Sequence, residues 1–195
     1  MTDKPLRDRV TLVSSDVLAD DWATLTRHTV DYERRDGGHQ RLTREIYERG
    51  DSVAVLPYDG DRRTILLTRQ LRLPAFLRGD TEPMLEACAG ALENESPESC
   101  ALREACEELG YALHDLKRVC MAYSSPGSLT ERLWGYTARY SPSDKVSGGG
   151  GARDEDEDIE VVEMSLDAAF DLIASGGIID AKTILLIQHL RLIAG

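Results

Sequence analysis

One stretch constrains this chain more than any other: Gly90 to Tyr111, GALENESPESCALREACEELGY. Ser96 is a natural N-cap, Pro97 fits the first helical position and Gly110 stands where a left-handed C-terminal cap belongs. The spacing therefore predicts a helix from Ser96 to Gly110. Leu102, Ala105, Cys106 and Leu109 follow i, i+3, i+4, i+7 and predict one buried stripe. Glu104, Glu107 and Glu108 fall on the opposite side; Glu108 stands about 40° and Glu107 about 60° from Glu104 around an ideal helix axis. That face opposes local rules. Like charges at i+3 and i+4 each cost roughly 0.2–0.5 kcal/mol, and all three lie in the half of the helix whose dipole disfavours anions. Rules broken this consistently point to a site, and clustered carboxylates offer the hard oxygens that Mg²⁺ or Mn²⁺ accepts. The bland alternative is a solvated acidic face on which Arg103 pairs with Glu107 at i+4. The preceding glycine, the capped start and the order Arg-Glu-x-x-Glu-Glu-x-Gly favour the metal.

The chain has 195 residues, 42% apolar and 30% charged, enough for one ordinary domain with a real core and a small extension. Lysine plus arginine number 23 and aspartate plus glutamate 35, a net charge of −12. Bulk charge thus argues against nucleic acid and anionic membranes as partners; any phosphate must be handled locally, with a metal between. No apolar run is long enough to span a bilayer. The start, Met-Thr-Asp-Lys-Pro, lacks an apolar h-region, so no secretory signal is expected. Cys88, Cys100, Cys106 and Cys120 have neither CxxC spacing nor a histidine cluster. They are expected to be reduced, mostly buried thiols of a cytoplasmic protein.

Residues 1–50 form a strand-rich segment: Trp22–Arg35 alternates, Asp36-Gly37-Gly38 signals a hairpin turn, and Arg41–Arg49 returns antiparallel. Apolar side chains are too few for this meander to stand alone, so it is expected to pack on the rest of the chain or on a second copy and to serve dimerisation. In residues 51–195, strands are expected at Val53–Leu56, Ile65–Leu67, Met84–Ala89, Val119–Tyr123, Leu133–Tyr140 and Ile159–Met164, and helices at Leu166–Ala174 and Lys182–Ile193. Strands and helices mix without regular alternation, which makes the class α+β. Residues 141–158 read as a low-complexity loop in which Gly148–Gly151 precede five acids, Asp154–Asp158. Such a run is ordinarily solvated; the alternative is a hinged acidic loop that closes over a bound ligand.

Arg103-Glu104-Ala105-Cys106-Glu107-Glu108-Leu109-Gly110-Tyr111 resembles the second half of the Nudix box, GX5EX7REUXEEXGU, where U is a bulky aliphatic residue. Counting back from Arg103 puts the box glutamate on Glu95. The glycine then falls one residue late, at Gly90, and Ala105 is small for its U position. Glu86-Ala-Cys-Ala-Gly90, Ser125-Pro-Gly127 with Thr130-Glu131, the run Glu155–Glu160 and Asp180-Ala-Lys-Thr183 extend the resemblance to the nucleoside-diphosphosugar branch. Within it the chain is most similar to bacterial GDP-mannose hydrolases, sisters of the ADP-ribose pyrophosphatases. The likeness spans residues 18–190.

The resemblance implies a Nudix fold: mixed sheets packed between helices as an α/β/α sandwich, with an N-terminal antiparallel strand segment. It implies metal ligands at Glu104, Glu108, Glu157 and the Ala89 carbonyl. Arg103 would orient the glutamates, Glu107 would be a ligand or stand behind one, and Glu157 would be the acidic-loop ligand or base, with Glu155 fitting nearly as well. Substrate contacts would fall on Arg72, Ala89, Gly90, Ala91, Glu108, Glu131, Asp156 and Lys182. Trp22, Thr43, Arg44 and Glu45 would line the partner subunit's site, where Trp22 offers a π face for the base. The cofactor implied is Mg²⁺ or Mn²⁺, and the assembly a homodimer with exchanged N-terminal strands. The reaction implied is hydrolysis of a nucleotide sugar's diphosphate: GDP-mannose to GMP and mannose 1-phosphate, or ADP-ribose to AMP and ribose 5-phosphate. A non-catalytic nucleotide-sugar sensor is the rival from another class; the intact Glu104, Glu107 and Glu108 argue against it.

Overall fold

The structure, a computed structural model, describes residues 4–151 and 158–194. The chain divides into two units, Met1–Gly50 with Tyr123–Glu131, and Asp51–Ala122 with Arg132–Gly195.

In the first unit β1 (Val10–Asp20), β2 (Thr24–Glu33) and β3 (His39–Glu48) form an antiparallel sheet in that order. The hairpin expected from Asp36-Gly37-Gly38 joins β2 to β3, with Glu33 opposite His39 and Thr24 opposite Glu48. Arg27–Glu45 at 2.9 Å and Arg41–Asp31 at 2.8 Å tie the two strands across their surface; exposed pairs of this kind add only a few tenths of a kcal/mol to about 1 kcal/mol. Among the described residues of this sheet no apolar side chain is fully buried, and Leu12, Val13, Val17 and Leu18 of β1 are exposed. Three strands with an open apolar row have no core of their own.

The second unit is built around β4 (Asp51–Asp59), which runs parallel to β9 (Arg132–Arg139). With β5 (Thr64–Gln70), β8 (His114–Tyr123) and β10 (Glu160–Ser165) the sheet order is β10-β5-β4-β9-β8. β4 pairs with β5 only at Tyr58↔Ile65 and Asp59↔Thr64. The two strands then part. β6 (Met84–Glu86) pairs with β5 and β7 (Cys88–Leu92) with β4, filling the opening. The single strand expected at Met84–Ala89 is therefore two short ones with different partners, and this wedge delivers Glu86, Ala89 and Gly90 to one place.

Val53–Leu56 is buried on both faces, which explains its unbroken apolar run. Val53 and Val55 face a core layer containing Cys88, Cys100, Ala101, Ala105 and Leu109. Ala54 and Leu56 face the other, with Leu67, Leu166, Ala169, Leu186 and Ile187. The helix α2 (Pro97–Glu104) thus covers one side and two later helices, Leu166–Ser175 and Ala181–Ala194, the other, the α/β/α sandwich that the resemblance implies. A further helix between β5 and β6, α1 (Leu73–Arg78), was not anticipated. Its Leu73, Phe76 and Leu77 are all exposed, so it has no buried stripe to betray it. In chain order the later pair are α3 and α4. All four cysteines are free, but only Cys88 and Cys100 are buried; Cys106 is exposed and Cys120 half-buried, against the expectation of mostly buried thiols. No described helix is long and apolar enough to cross a membrane.

Residues 141–151 form a strap, in contrast to the loose loop expected there. Ser141 and Asp144 make a reciprocal capping box. Beyond it, backbone N–H groups of Val146, Gly150 and Gly151 donate to the carbonyls of Gly110, Glu108 and Glu107 at 2.8, 2.8 and 3.2 Å. Carbonyls that a helix end leaves without partners are satisfied by this strap. Gly149 has φ +67°, and a Cβ there would stand 2.5 Å from the Glu108 carbonyl oxygen, so only glycine fits.

Candidate active site

Ser96 caps α2 as its spacing predicts, accepting a hydrogen bond from the Ser99 N–H at 3.1 Å, and Pro97 opens the helix. The α-helix ends at Glu104. Ala105–Leu109 continue as a π-helical turn closed by Gly110 at φ +76°. The buried face is also rotated from the one expected. Cys100, Ala101, Ala105, Glu108 and Leu109 are buried, whereas Leu102 and Cys106 are exposed. Ala101, Ala105, Glu108 and Leu109 themselves follow i, i+4, i+7, i+8, a sound helical stripe that hydropathy rejects because one member is a glutamate. Glu108 is 1% exposed, in the core and not on the solvent face.

Two of the three helix carboxylates meet β7. Glu108 Oε2 accepts the Ala89 N–H at 3.2 Å. The Glu104 side chain lies across Gly90: a Cβ on that residue would come within 1.8 Å of Glu104 Oε1. Burial pushes the Cys88 thiol far up its pKa scale, and the adjacent Glu108 and Glu104 carboxylates push it further, so the thiol is a neutral neighbour of both. Arg103 gathers the remaining charge. Its guanidinium reaches Glu95 at 2.9 Å, Glu104 at 2.9 Å and Glu107 at 2.7 Å. The shared guanidinium offsets the Glu104–Glu107 repulsion foreseen on this face, and its set spans four residue positions that the box spacing brings together. Burial disfavours the Arg103 charge, but these carboxylates hold it protonated.

A second cluster sits on β6 and α4. Glu86, 1% exposed, receives Arg72 through Nε at 2.7 Å and Nη2 at 2.9 Å, and Lys182 through Nζ at 2.7 Å. Burial raises the Glu86 pKa, yet the Arg72 hydrogen bond and the charges of Lys182 and Arg72 outweigh it and leave the carboxyl below its ordinary 4.5. Glu86 ends β6 three residues before Ala89 of β7, whose N–H donates to Glu108, so the wedge carries both clusters. Glu86 carries no role in the expected site; a lone acid within the run Met84–Cys88 is costly to bury without cations, and that is the signal the sequence holds for it.

In the N-terminal unit, Trp22 is 75% exposed, with its ring centroid 6.5 Å from Tyr47 and the Arg49 guanidinium 5.2 Å over it. Arg49 in turn pairs with Glu131 at 3.5 Å, and the Ser124 hydroxyl donates to Glu131 at 2.6 Å. Arg44 donates to the Thr43 carbonyl, and Glu45 is taken by Arg27. Ala91 belongs to β7, opposite Ser52. Glu155, Asp156 and Glu157 lie outside the described residues.

The donor set at Glu104, Glu108 and the Ala89–Gly90 backbone is all hard oxygen, which suits a divalent ion of the Mg²⁺ class, and Gly90 leaves the close approach that Glu104 needs. Among the described residues no three His, Cys, Asp or Glu side chains converge as a metal cluster by themselves. A further ligand must therefore come from backbone, from substrate or from outside those residues.

A family model described as a NUDIX domain matches residues 48–187, and one described as the GDP-mannose pyrophosphatase NudK N-terminal domain matches residues 9–47. A GDP-mannose pyrophosphatase of Pectobacterium atrosepticum is 43% identical over 181 residues, 92% of this chain and 93% of the relative. One from Escherichia coli is 38% identical over 188 residues, 96% of this chain and 97% of its own. A solved structure of an ADP compounds hydrolase superposes with a TM-score of 0.72 at 20% identity, covering 97% of this chain and 95% of that one, a likeness of fold.

Two outcomes follow from this geometry. In Gly90→Ala the new methyl overlaps the Glu104 side chain from Cγ outward and forces it aside, so turnover should fall by about ten- to a hundredfold, more than thermal stability does; comparable losses of both would show that Gly90 serves the fold alone. Glu86, with its pKa depressed on folding, contributes stability that is present above its ordinary value of 4.5 and lost as pH falls through the lower folded value. Denaturation midpoints taken from pH 6 to pH 3 should therefore drop less steeply in Glu86→Gln than in the parent, and parallel curves would refute the linkage.

Proposed function

The chain belongs to the Nudix family of pyrophosphate-hydrolysing enzymes, and we propose on that basis that it cleaves GDP-mannose, with Mg²⁺, into GMP and mannose 1-phosphate. The observation that carries the reading is the convergence of Glu104 and buried Glu108 on Ala89–Gly90. The choice of GDP-mannose is supported by relatives of that description matching over more than nine-tenths of the chain.

Glu104, Glu108, the Ala89 carbonyl and Glu157 would hold the ion. Bound there, it supplies positive charge to the phosphoryl oxygens and acidifies a water. The chain's own residues do the rest. Arg103 keeps Glu104 and Glu107 in fixed orientation through its three ion pairs. Arg72 and Lys182 offer N–H donors to the diphosphate, a task for which guanidinium and ammonium groups suit. Glu157 takes the proton of the attacking water, and Asp156 contacts the substrate beside it. Ala91 and Gly90 contribute backbone to the substrate's path along β7.

The assembly proposed is a homodimer in which the N-terminal sheet of one subunit, with Trp22, Thr43, Arg44 and Glu45, completes the site of the other, Glu131 serving the same substrate. The exposed row Leu12, Val13, Val17 and Leu18 supports an isologous partner. The compartment proposed is the cytoplasm, in keeping with four free thiols.

Glu108→Gln keeps size and removes one anionic ligand, so kcat should fall by at least about a hundredfold while the fold persists. Activity within a few-fold of the parent would sink the metal-site assignment. In a panel of nucleotide sugars, GDP-mannose should give the highest kcat/KM; a preference for ADP-ribose would overturn the choice of base and sugar, and no Mg²⁺-dependent turnover at all would favour a sensor. Subunit mixing addresses the dimer. A Trp22→Ala, Arg44→Ala chain combined with a Glu104→Gln, Glu108→Gln chain should recover up to about a quarter of parental activity, since half the dimers are mixed and each regains one of two sites. Verified heterodimers without recovery would place the N-terminal residues in cis.

A further inference from the structure

Two neighbouring residues of the wedge are tied to two neighbouring residues of the last helix. Glu86 accepts Lys182 at 2.7 Å, and the Ala87 N–H donates to the Thr183 hydroxyl at 2.7 Å. Asp180 caps that helix by accepting the Thr183 N–H at 3.0 Å and also takes Lys182 at 3.0 Å. From the other side Arg72, the residue before α1, grips both oxygens of Glu86. The carboxylate is 1% exposed, whereas the Arg72 side chain is 40% and Lys182 18% exposed. The anion is therefore at the back and the cations reach forward.

Donor geometry shows what is left over. A guanidinium has five N–H groups and an ammonium three. Arg72 commits its Nε edge to Glu86, which leaves its Nη1/Nη2 edge to face another oxyanion. Lys182 commits two hydrogens, one to Glu86 and one to Asp180. The remaining donors belong to two cations fixed on Glu86, three residues before Ala89, whose N–H donates to Glu108. A buried ion triad adds little stability over an apolar residue of similar volume, so stability alone does not account for Glu86.

We propose that Glu86 is a positioning residue: its buried carboxylate sets Arg72 and Lys182 as a preformed two-cation fork for a diphosphate entering beside Glu108. This rests on the hydrolase reading for its substrate, but the fork itself is a statement about diphosphate binding. Two effects of removing the carboxylate have opposite signs. Loss of one negative charge, taken alone, draws an anionic substrate in more tightly. Loss of alignment frees two like-charged side chains to separate and weakens binding.

The experiment compares the full-length parent with Glu86→Gln and Glu86→Asp. Steady-state kinetics on GDP-mannose are measured across Mg²⁺ concentrations, and binding of inorganic pyrophosphate with Mg²⁺ by calorimetry. In Glu86→Gln, KM and the pyrophosphate Kd should both rise by about ten- to a hundredfold, more than kcat falls, with half-saturating Mg²⁺ unchanged. Glu86→Asp keeps the charge on a stem too short to reach both cations, and should show a smaller rise of the same kind. Should Glu86→Gln fail to fold, Glu86→Asp decides by the same criteria. Unchanged or tighter KM and Kd in the folded variants, or a loss confined to kcat, overturns the proposal. If the parent turns over no nucleotide sugar yet the variants lose pyrophosphate affinity, the fork stands and only the substrate assignment falls.

Discussion

A carboxylate buried where a helix meets a strand is the constraint around which the catalytic unit is arranged. Glu108 is nearly inaccessible, and an ionised carboxylate without partners in such a place costs several kcal/mol. Its neighbourhood is built to meet that cost. The Ala89 N–H is aimed at it, and the π turn that carries it is held from behind by the strap at Gly150. The parting of β4 from β5 serves the same end, because only a strand inserted there can present Ala89 and Gly90 to the helix.

Charge is then distributed in small closed sets. A chain of net charge −12 keeps Arg103 among Glu95, Glu104 and Glu107, and Arg72 with Lys182 on Glu86. The first set is an anionic surface with one internal cation, suited to a divalent ion. The second is a cationic surface with one internal anion, suited to phosphate. Two opposite fields side by side are what a metal-bridged phosphoanhydride requires, and neither is visible in the bulk charge.

How much was legible in the sequence follows from which signals are local. The N-cap at Ser96, the stop at Gly110, the β2–β3 hairpin and the doubly buried Val53–Leu56 each depend on residues within one element, and each is where the sequence puts it. The rotation of the helix was not legible, because hydropathy places a glutamate outside and the π turn has no sequence rule comparable to a cap. The helix at Leu73–Arg78 escaped for want of a buried face. The role of Glu86 depends on Lys182, 96 positions away, and pairing at that separation is a property of topology.

That separation, and the strap's, determine when the site can exist. While the chain is being synthesised, the carbonyls of Glu107, Glu108 and Gly110 have no strap to cover them until residues 146–151 follow, and Glu86 has no Lys182 until the final helix has emerged. A nascent chain that has completed its acidic helix is thus still far from a competent site. The parts that would grip a diphosphate come together only once residue 182 has emerged, after most of the sandwich is available to hold them.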